Sequence, residues 1–125
     1  MGGFVDMGYH WKDLEVWQGS HNLVLEIYQL LKNFPYEERF TLCDQMKRAA
    51  YSIPSNIVEG HSKQSTKEFV KYLYISRGSL EELRYFLLLS LHIDYINEES
   101  YNNIESQCTH VSKMLNGLLK SFYSS

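Results

Sequence analysis

Apolar residues recur every three or four positions through four stretches of the chain, the repeat of a helix that buries one face. The first stripe holds Val16, Leu23, Ile27, Leu30 and Phe34, widened by Trp17, Val24 and Leu31, and predicts a helix over 14–33. Asp13 is placed to cap its start, and Asn33-Phe34-Pro35 to close it. The second helix, over 38–62, opens with Glu37 and Glu38, whose negative charge suits a first turn. The third, over 66–91, starts at Ser65-Thr66-Lys67-Glu68, a capping box. Its seam is Phe69, Leu73, Ser76, Leu80, Leu83, Leu87 and Ser90. The fourth, over 98–122, follows Asn97 with Glu98 and Glu99, and runs along Tyr101, Ile104, Cys108, Val111, Leu115, Leu118 and Phe122. No useful length alternates like a strand. The connections are short, so the prediction is an all-α, antiparallel up-down-up-down four-helix bundle.

The stretch SIPSNIVEG, residues 52–60, tests that scheme. Leu42, Met46, Ala49, Ala50, Ile53, Ile57 and Gly60 keep one apolar face in phase on both sides of Pro54. A loop would lose that phase. Pro54 removes one backbone bond and crowds the carbonyl of Ala50, at about 3 kcal/mol unless packing offsets it, so one helix kinked at Pro54 is expected. Gly60 on the apolar face signals either close approach by a neighbour or the nearing end of the helix.

Beside that face lie Arg48, Ser52, Asn56, Glu59 and Lys63, within about 80° of one another. Together with Arg77 and Glu81, the residues Arg48, Ser52, Asn56 and Glu59 are read as a structural polar network, Glu59 facing an arginine among Arg48, Arg77 and Arg84. Such a network costs desolvation and can fix helix register. A third face carries Tyr51, Pro54 and Val58, and the third helix has surplus apolar positions that include Tyr72 and Tyr74. The chain holds ten tyrosines, a residue enriched at interfaces. These five residues are the candidate contact of a homo-oligomer. A wide core stripe with scattered surface aromatics is the plainer alternative.

Composition adds bounds. The chain has 125 residues, 44% hydrophobic and 22% charged, the size and balance of one globular domain over 12–125. The start, MGGFVDMGYH, lacks the basic and apolar regions of a signal peptide. Residues 1–11 are expected to be a disordered or expression-derived lead, with Met7 as a candidate native start. The longest apolar run, Phe86–Leu89, falls far short of the roughly 20 residues of a membrane span. Cys43 and Cys108 have no metal or redox spacing. A disulfide is one option, two buried thiols in a cytoplasmic protein the expected one.

Catalytic chemistry finds little support. Glu81 and Glu82 are neighbours on a helix and point about 100° apart, so they do not converge on one atom. The five histidines are scattered without an i, i+4 pair, and Glu59-Gly60-His61 has the wrong spacing for a di-iron bundle. No phosphate-cradling glycine motif occurs; Gly78-Ser79 lies inside a helix. No metal, no cofactor and no enzymatic activity are expected. Charge is more informative. Residues 39–77 carry seven basic groups against three acids, although the net charge of the whole chain is −3. Lys47, Arg48, Lys63, Lys67 and Lys71 are therefore the candidate nucleic-acid contacts, through phosphates and without sequence preference. A solvated helix face accounts for the lysines equally well.

The segments DLEVWQ (13–18), FPYEERF (34–40), QMKRAAYSIPSNIVEG (45–60) and EFVKYLYISRGSLEEL (68–83) together resemble a known family. Its members are the small four-helix-bundle proteins encoded in intervening sequences of bacterial large-subunit ribosomal RNA genes. The resemblance runs from Lys12 to Phe122. A related fold serves as the accessory protein of diversity-generating retroelements, a basic assembly that works with a reverse transcriptase and nucleic acid. The resemblance implies a homo-oligomeric ring, commonly a pentamer, with a nucleic-acid-associated role and no established catalytic residue. Arg48, Asn56, Glu59, Arg77 and Glu81 match the family's polar motif positions. Two departures stand out: the overall balance is acidic, and Gly19-Ser20 replaces better helix formers, which should loosen the first helix there. Two functions follow as expectations. One is a cytoplasmic ring that binds structured RNA or DNA through a repeated basic patch; the other is a ring that scaffolds another protein.

Overall fold

The computed structural model describes residues 8–123. Four helices account for most of them: α1 Glu15–Leu31, α2 Leu42–Ser62, α3 Thr66–His92 and α4 Glu98–Ser121. Each packs on two others in the cycle α1–α2–α3–α4–α1. The α2–α3 contact is the most extensive and the α1–α4 contact the least.

The boundaries follow local chemistry. Asp13 does not cap α1. It belongs to a 3₁₀ turn, Trp11–Asp13, where its carboxylate accepts from the His10 amide while the His10 ring accepts from the Lys12 amide. Leu14 then stands at the N-cap without a side-chain bond. Glu37 and Glu38 sit in a second 3₁₀ turn, Tyr36–Glu38, so α2 starts four residues later than the charge pattern indicates. Ser65 caps α3 by accepting from the Glu68 amide at 3.4 Å, and Asn97 caps α4 by accepting from the Ser100 amide at 2.8 Å. Between α2 and α3 the chain turns through Gln64 at φ 54°, and after α3 through Asp94 at φ 64°. Both are left-handed positions that stop a helix abruptly.

The core is one cluster drawn from all four helices. In α3 the buried residues are the same seven that its periodicity marks. In α4 the seam ends on Leu119 rather than Leu118 and Phe122, which are half-buried. Helix α2 is continuous through Pro54, and Pro54 itself is buried among its own chain's residues. That corrects its assignment to a subunit contact: it lies four residues beyond Ala50 and three before Ile57, on the edge of the core stripe. Cys43 and Cys108 are free and buried, and burial pushes the Cys108 thiol up to about 12.

Three serines occupy core positions, and each has a bonding reason. Ser76 Oγ donates to the Ile53 carbonyl at 2.8 Å, next to the backbone that Pro54 disturbs; Ser90 Oγ donates to the Phe86 carbonyl; Ser20 Oγ donates to the Trp17 carbonyl. Two glycines serve close approach. A Cβ on Gly60 would lie 2.6 Å from Tyr72 Cβ and 3.0 Å from Phe69 Cδ1. A Cβ on Gly19 would meet the Met114 methyl at 2.6 Å. The expected loosening of α1 at Gly19-Ser20 is thus replaced by a contact: Ser20 is buried, and Gly19 admits Met114.

At one end of the bundle, Tyr95 Oη donates to Glu38 Oε2 at 2.6 Å and stacks edge-on against Phe34. The Thr41 hydroxyl also donates to Glu38, and these bonds hold its carboxyl below the usual range. At the other end, Tyr9 lies against His61, and Trp11 meets Trp17 edge-on. The lead anticipated over residues 1–11 lies outside the described residues up to position 7; Tyr9 and Trp11 rest on the bundle.

The two glycines separate in a denaturation experiment. Gly60→Ala pushes a Cβ into another Cβ and should lose about 1–3 kcal/mol of stability. Gly19→Ala meets only the mobile end of Met114 and should stay within about 1 kcal/mol of wild type. Urea midpoints at fixed slope measure both; an unchanged midpoint for Gly60→Ala would show that the α2–α3 contact yields easily.

Candidate nucleic-acid interface

The short turn after α2 decides where the basic residues fall. Lys63 ends α2, and Lys67 and Lys71 occupy the first turns of α3, so the three gather at one end of the α2–α3 pair. Lys47 and Arg48 are about 22 Å away along α2, at 1.5 Å per residue. The five candidates therefore form two groups, not one patch.

Their partners differ as well. Arg48 Nε lies 3.3 Å from Asp44 Oδ2, and Lys63 Nζ lies 3.9 Å from Glu59 Oε2, both on exposed surface. Lys47 Nζ rests 5.1 Å from the centre of the Tyr28 ring. Lys67 and Lys71 are exposed and have no ion-pair partner among the described residues. Exposed pairs such as Arg48–Asp44 are worth little and exchange readily for another anion. The α2–α3 end thus carries Lys67, Lys71 and a weakly held Lys63 on exposed surface. Tyr72 lies beneath the Lys63 ammonium, 5.7 Å from it.

The six network candidates separate into distinct sets. Ser52, Asn56 and Ser79 form one: the two hydroxyls are 2.8 Å apart, and Asn56 Nδ2 donates to the Ser52 hydroxyl at 2.9 Å and its carbonyl at 2.7 Å. Arg77 reaches Asn116 Oδ1 at 3.1 Å, with its guanidinium over Tyr74. Glu81 pairs with Arg84 at 3.3 Å. Glu59 is exposed and faces Lys63 in place of an arginine, and Arg48 is equally peripheral. The ionic hub that crosses helices is the half-buried Arg84, which bonds Glu105 and Thr109 of α4 as well as Glu81. Glu105 escapes sequence reading because its partner lies 21 positions away on another helix.

Of the candidate subunit contacts, Tyr51 and Tyr74 are exposed, Val58 and Tyr72 half-buried, and Pro54 buried within the chain. Tyr36 and Phe40 are the most exposed aromatic residues among those described, with the Arg39 guanidinium 3.5 Å and 4.4 Å from their ring centres. Their only sequence signal is position, in the connection between two helices.

A shallow groove of about 400 Å³ between α1 and α4 is lined by Glu15, Gln18, Gly19, Asn22, His110 and Met114. Glu15 and His110 line that groove with no hydrogen bond between them among the described residues. No group of three or more metal-ligating side chains occurs among the described residues. No helix among them is long and apolar enough to cross a membrane.

An all-α protein of four helices packed around one hydrophobic core defines the class. Residues 12–117 match the model of the 23S rRNA-intervening sequence protein family, and the chain belongs to that family. It is also similar to a crystal structure from Bacteroides thetaiotaomicron VPI-5482, described as a protein with unknown function from the S23 ribosomal protein family. The two share 30% identity and a TM-score of 0.78, over 84% of this chain and 95% of that one. No curated protein matches the sequence. Neither the family nor the similar structure indicates an enzyme.

His61 sits at the cationic end, buried between Tyr9 and Phe69, with Nε2 lacking a hydrogen-bond partner among the described residues. Burial pushes its imidazole below the usual histidine range; a bond to the Tyr9 backbone opposes this, and the charge of His10 adds to it. The unfolded chain therefore takes up a proton near pH 6.5 while the folded one still refuses it. Stability should be full above about pH 6.5 and decline as pH falls through that window. Urea midpoints at pH 7 and pH 5 should differ more for wild type than for His61→Leu; equal differences would remove His61 as the cause.

Proposed function

We propose that this protein is a non-enzymatic, homo-oligomeric RNA-associated bundle that meets phosphates through the α2–α3 end. The observation that carries the reading is the gathering of Lys63, Lys67 and Lys71 at that end, with Lys67 and Lys71 free of ion pairs among the described residues. Phosphate contacts from flexible lysines give affinity without sequence preference, which suits a structured RNA such as ribosomal RNA. Membership of a family named for an intervening sequence in 23S ribosomal RNA supports that class of ligand.

The assembly proposed is an antiparallel up-down-up-down bundle, kinked at Pro54, that closes with further copies into a ring, the family resemblance pointing to a pentamer in the cytoplasm. The antiparallel course is supported by the order of contacts: Gly60 with Phe69 and Tyr72, Ile53 with Ser76, Met46 with Ser90. The kink is supported by the bond that Pro54 cannot donate. Repetition around a ring gathers several of these local cationic ends on one assembly, although each chain carries a net charge of −3.

The test is a fluorescence anisotropy titration of a labelled structured RNA at several salt concentrations. The expected outcome is affinity that falls steeply with salt, and a Lys63→Glu/Lys67→Glu variant that binds more weakly with a slope reduced by about 0.7–0.9 per lost contact. Salt-independent binding, or an unaffected variant, would overturn the phosphate contact. A protein partner retained from the native host after nuclease treatment would favour the scaffolding ring instead.

A further inference from the structure

The turn before α1 and the first two turns of α1 carry four aromatic rings in an unbroken run. His10 meets Trp11 with ring centres 4.7 Å apart, and Trp11 meets Trp17 edge-on at 4.8 Å. His21 then stacks on Trp17 at 5.0 Å, with an angle of 6° between the planes. The run extends past what the core uses. Trp17 packs against the core and Trp11 does not, and the imidazoles at the two ends, His10 and His21, are exposed. Local bonds hold the run in place: the Gln18 amide donates to the Lys12 carbonyl at 2.9 Å, and His10 and Asp13 cap each other across the turn. Rings fixed before a ligand arrives lose little freedom on binding it.

The run begins at the cationic end of the bundle. Tyr9 lies against His61, and the Trp11–Asp13 turn packs on α2, so the first rings stand beside the helix end that carries Lys63. Lys12 Nζ is 5.6 Å from the centre of the Trp11 ring and has no ion-pair partner among the described residues. Of the acids in this turn and at the start of α1, Asp13 accepts from the His10 amide, and Glu15 lines the groove between α1 and α4.

We propose that this run is a stacking platform for unpaired RNA bases, set beside the lysines that hold the phosphates. The inference rests on the RNA-binding reading and gives it a second element: the strand's backbone meets Lys12, Lys63 and Lys67, and its bases lie on the rings. Stacking of this kind accepts any base, since each has a π-face, and a nearby cation adds to it. A duplex keeps its bases stacked on one another and presents mainly its phosphates. The platform therefore selects single-stranded segments, loops and bulges over continuous helix. It lies on α1 and the turn before it, which carry none of the residues assigned to contacts between copies, so assembly through those residues does not use it.

Trp11 and Trp17 are the chain's two tryptophans, so indole fluorescence reads the platform directly. Titration with oligouridylate of about 20 nucleotides, longer than the site of a typical stacking platform, should quench that emission. Inorganic polyphosphate, with the charge and no bases, should compete for the lysines and leave the emission unchanged. A duplex of oligoadenylate with oligouridylate should bind with much less quenching. His21→Ala, which removes an exposed ring, should weaken oligouridylate binding by about fivefold or more, and His21→Phe should restore it. Equal quenching by polyphosphate, full quenching by the duplex, bound oligouridylate without quenching, or a His21→Phe protein as weak as His21→Ala would each overturn the platform. The two readings fail separately. Salt-dependent RNA binding without quenching removes the platform and keeps the phosphate contact. Quenching whose midpoint is unmoved by Lys63→Glu/Lys67→Glu removes the phosphate contact and keeps the platform.

Discussion

The close approach of α2 and α3 is the constraint on which the rest of the molecule depends. At Gly60 the helices come so near that a single methyl group would collide with Tyr72 Cβ, and Ser76 Oγ crosses the same interface to the Ile53 carbonyl. Small residues give the proximity, and hydroxyls supply the polar partners that proximity would otherwise strand. Pro54 is tolerated inside this seam because packing on both sides holds the helix in place where its own hydrogen bonding is interrupted. The remaining helices then have a fixed surface to complete. α1 packs against α2, α4 against α3, and the two outer helices meet each other least.

The electrostatic arrangement follows from the same pairing. A short turn through Gln64 brings the last residue of α2 and the first turns of α3 together, so lysines that are neighbours in sequence stay neighbours in space. Lys47 and Arg48 belong to the other part of α2 and cannot join them. The interhelix ionic group is placed elsewhere, at Arg84 between α3 and α4. There two carboxylates hold a half-buried guanidinium in the charged state against its own desolvation.

Periodicity revealed the core because burial obeys a local rule that any single helix must satisfy. The seven buried positions of α3 and the unbroken phase across Pro54 were legible for that reason. Caps were partly legible: Ser65 and Asn97 act locally, whereas Asp13 and Glu38 were drawn into 3₁₀ turns whose geometry depends on the neighbouring helices. The side-chain network was the least legible. Glu59 turned to the lysine one turn ahead on its own helix, while the bonds that do cross helices, such as Arg84 to Glu105 and Tyr95 to Glu38, depend on three-dimensional register. Family resemblance supplied what local rules do not, the class of protein.

The bond from Tyr95 to Glu38 joins residues 57 positions apart. Closing so long a segment costs more conformational entropy than the short α2–α3 connection does. It forms once α2 and α3 have paired, since those two helices bring the connecting turns to the same end. The proton affinity of Glu38 is lowered first by the local Thr41 bond and then by this long-range one. One carboxylate thus joins a bond within its own turn to a bond that spans the α2–α3 pair.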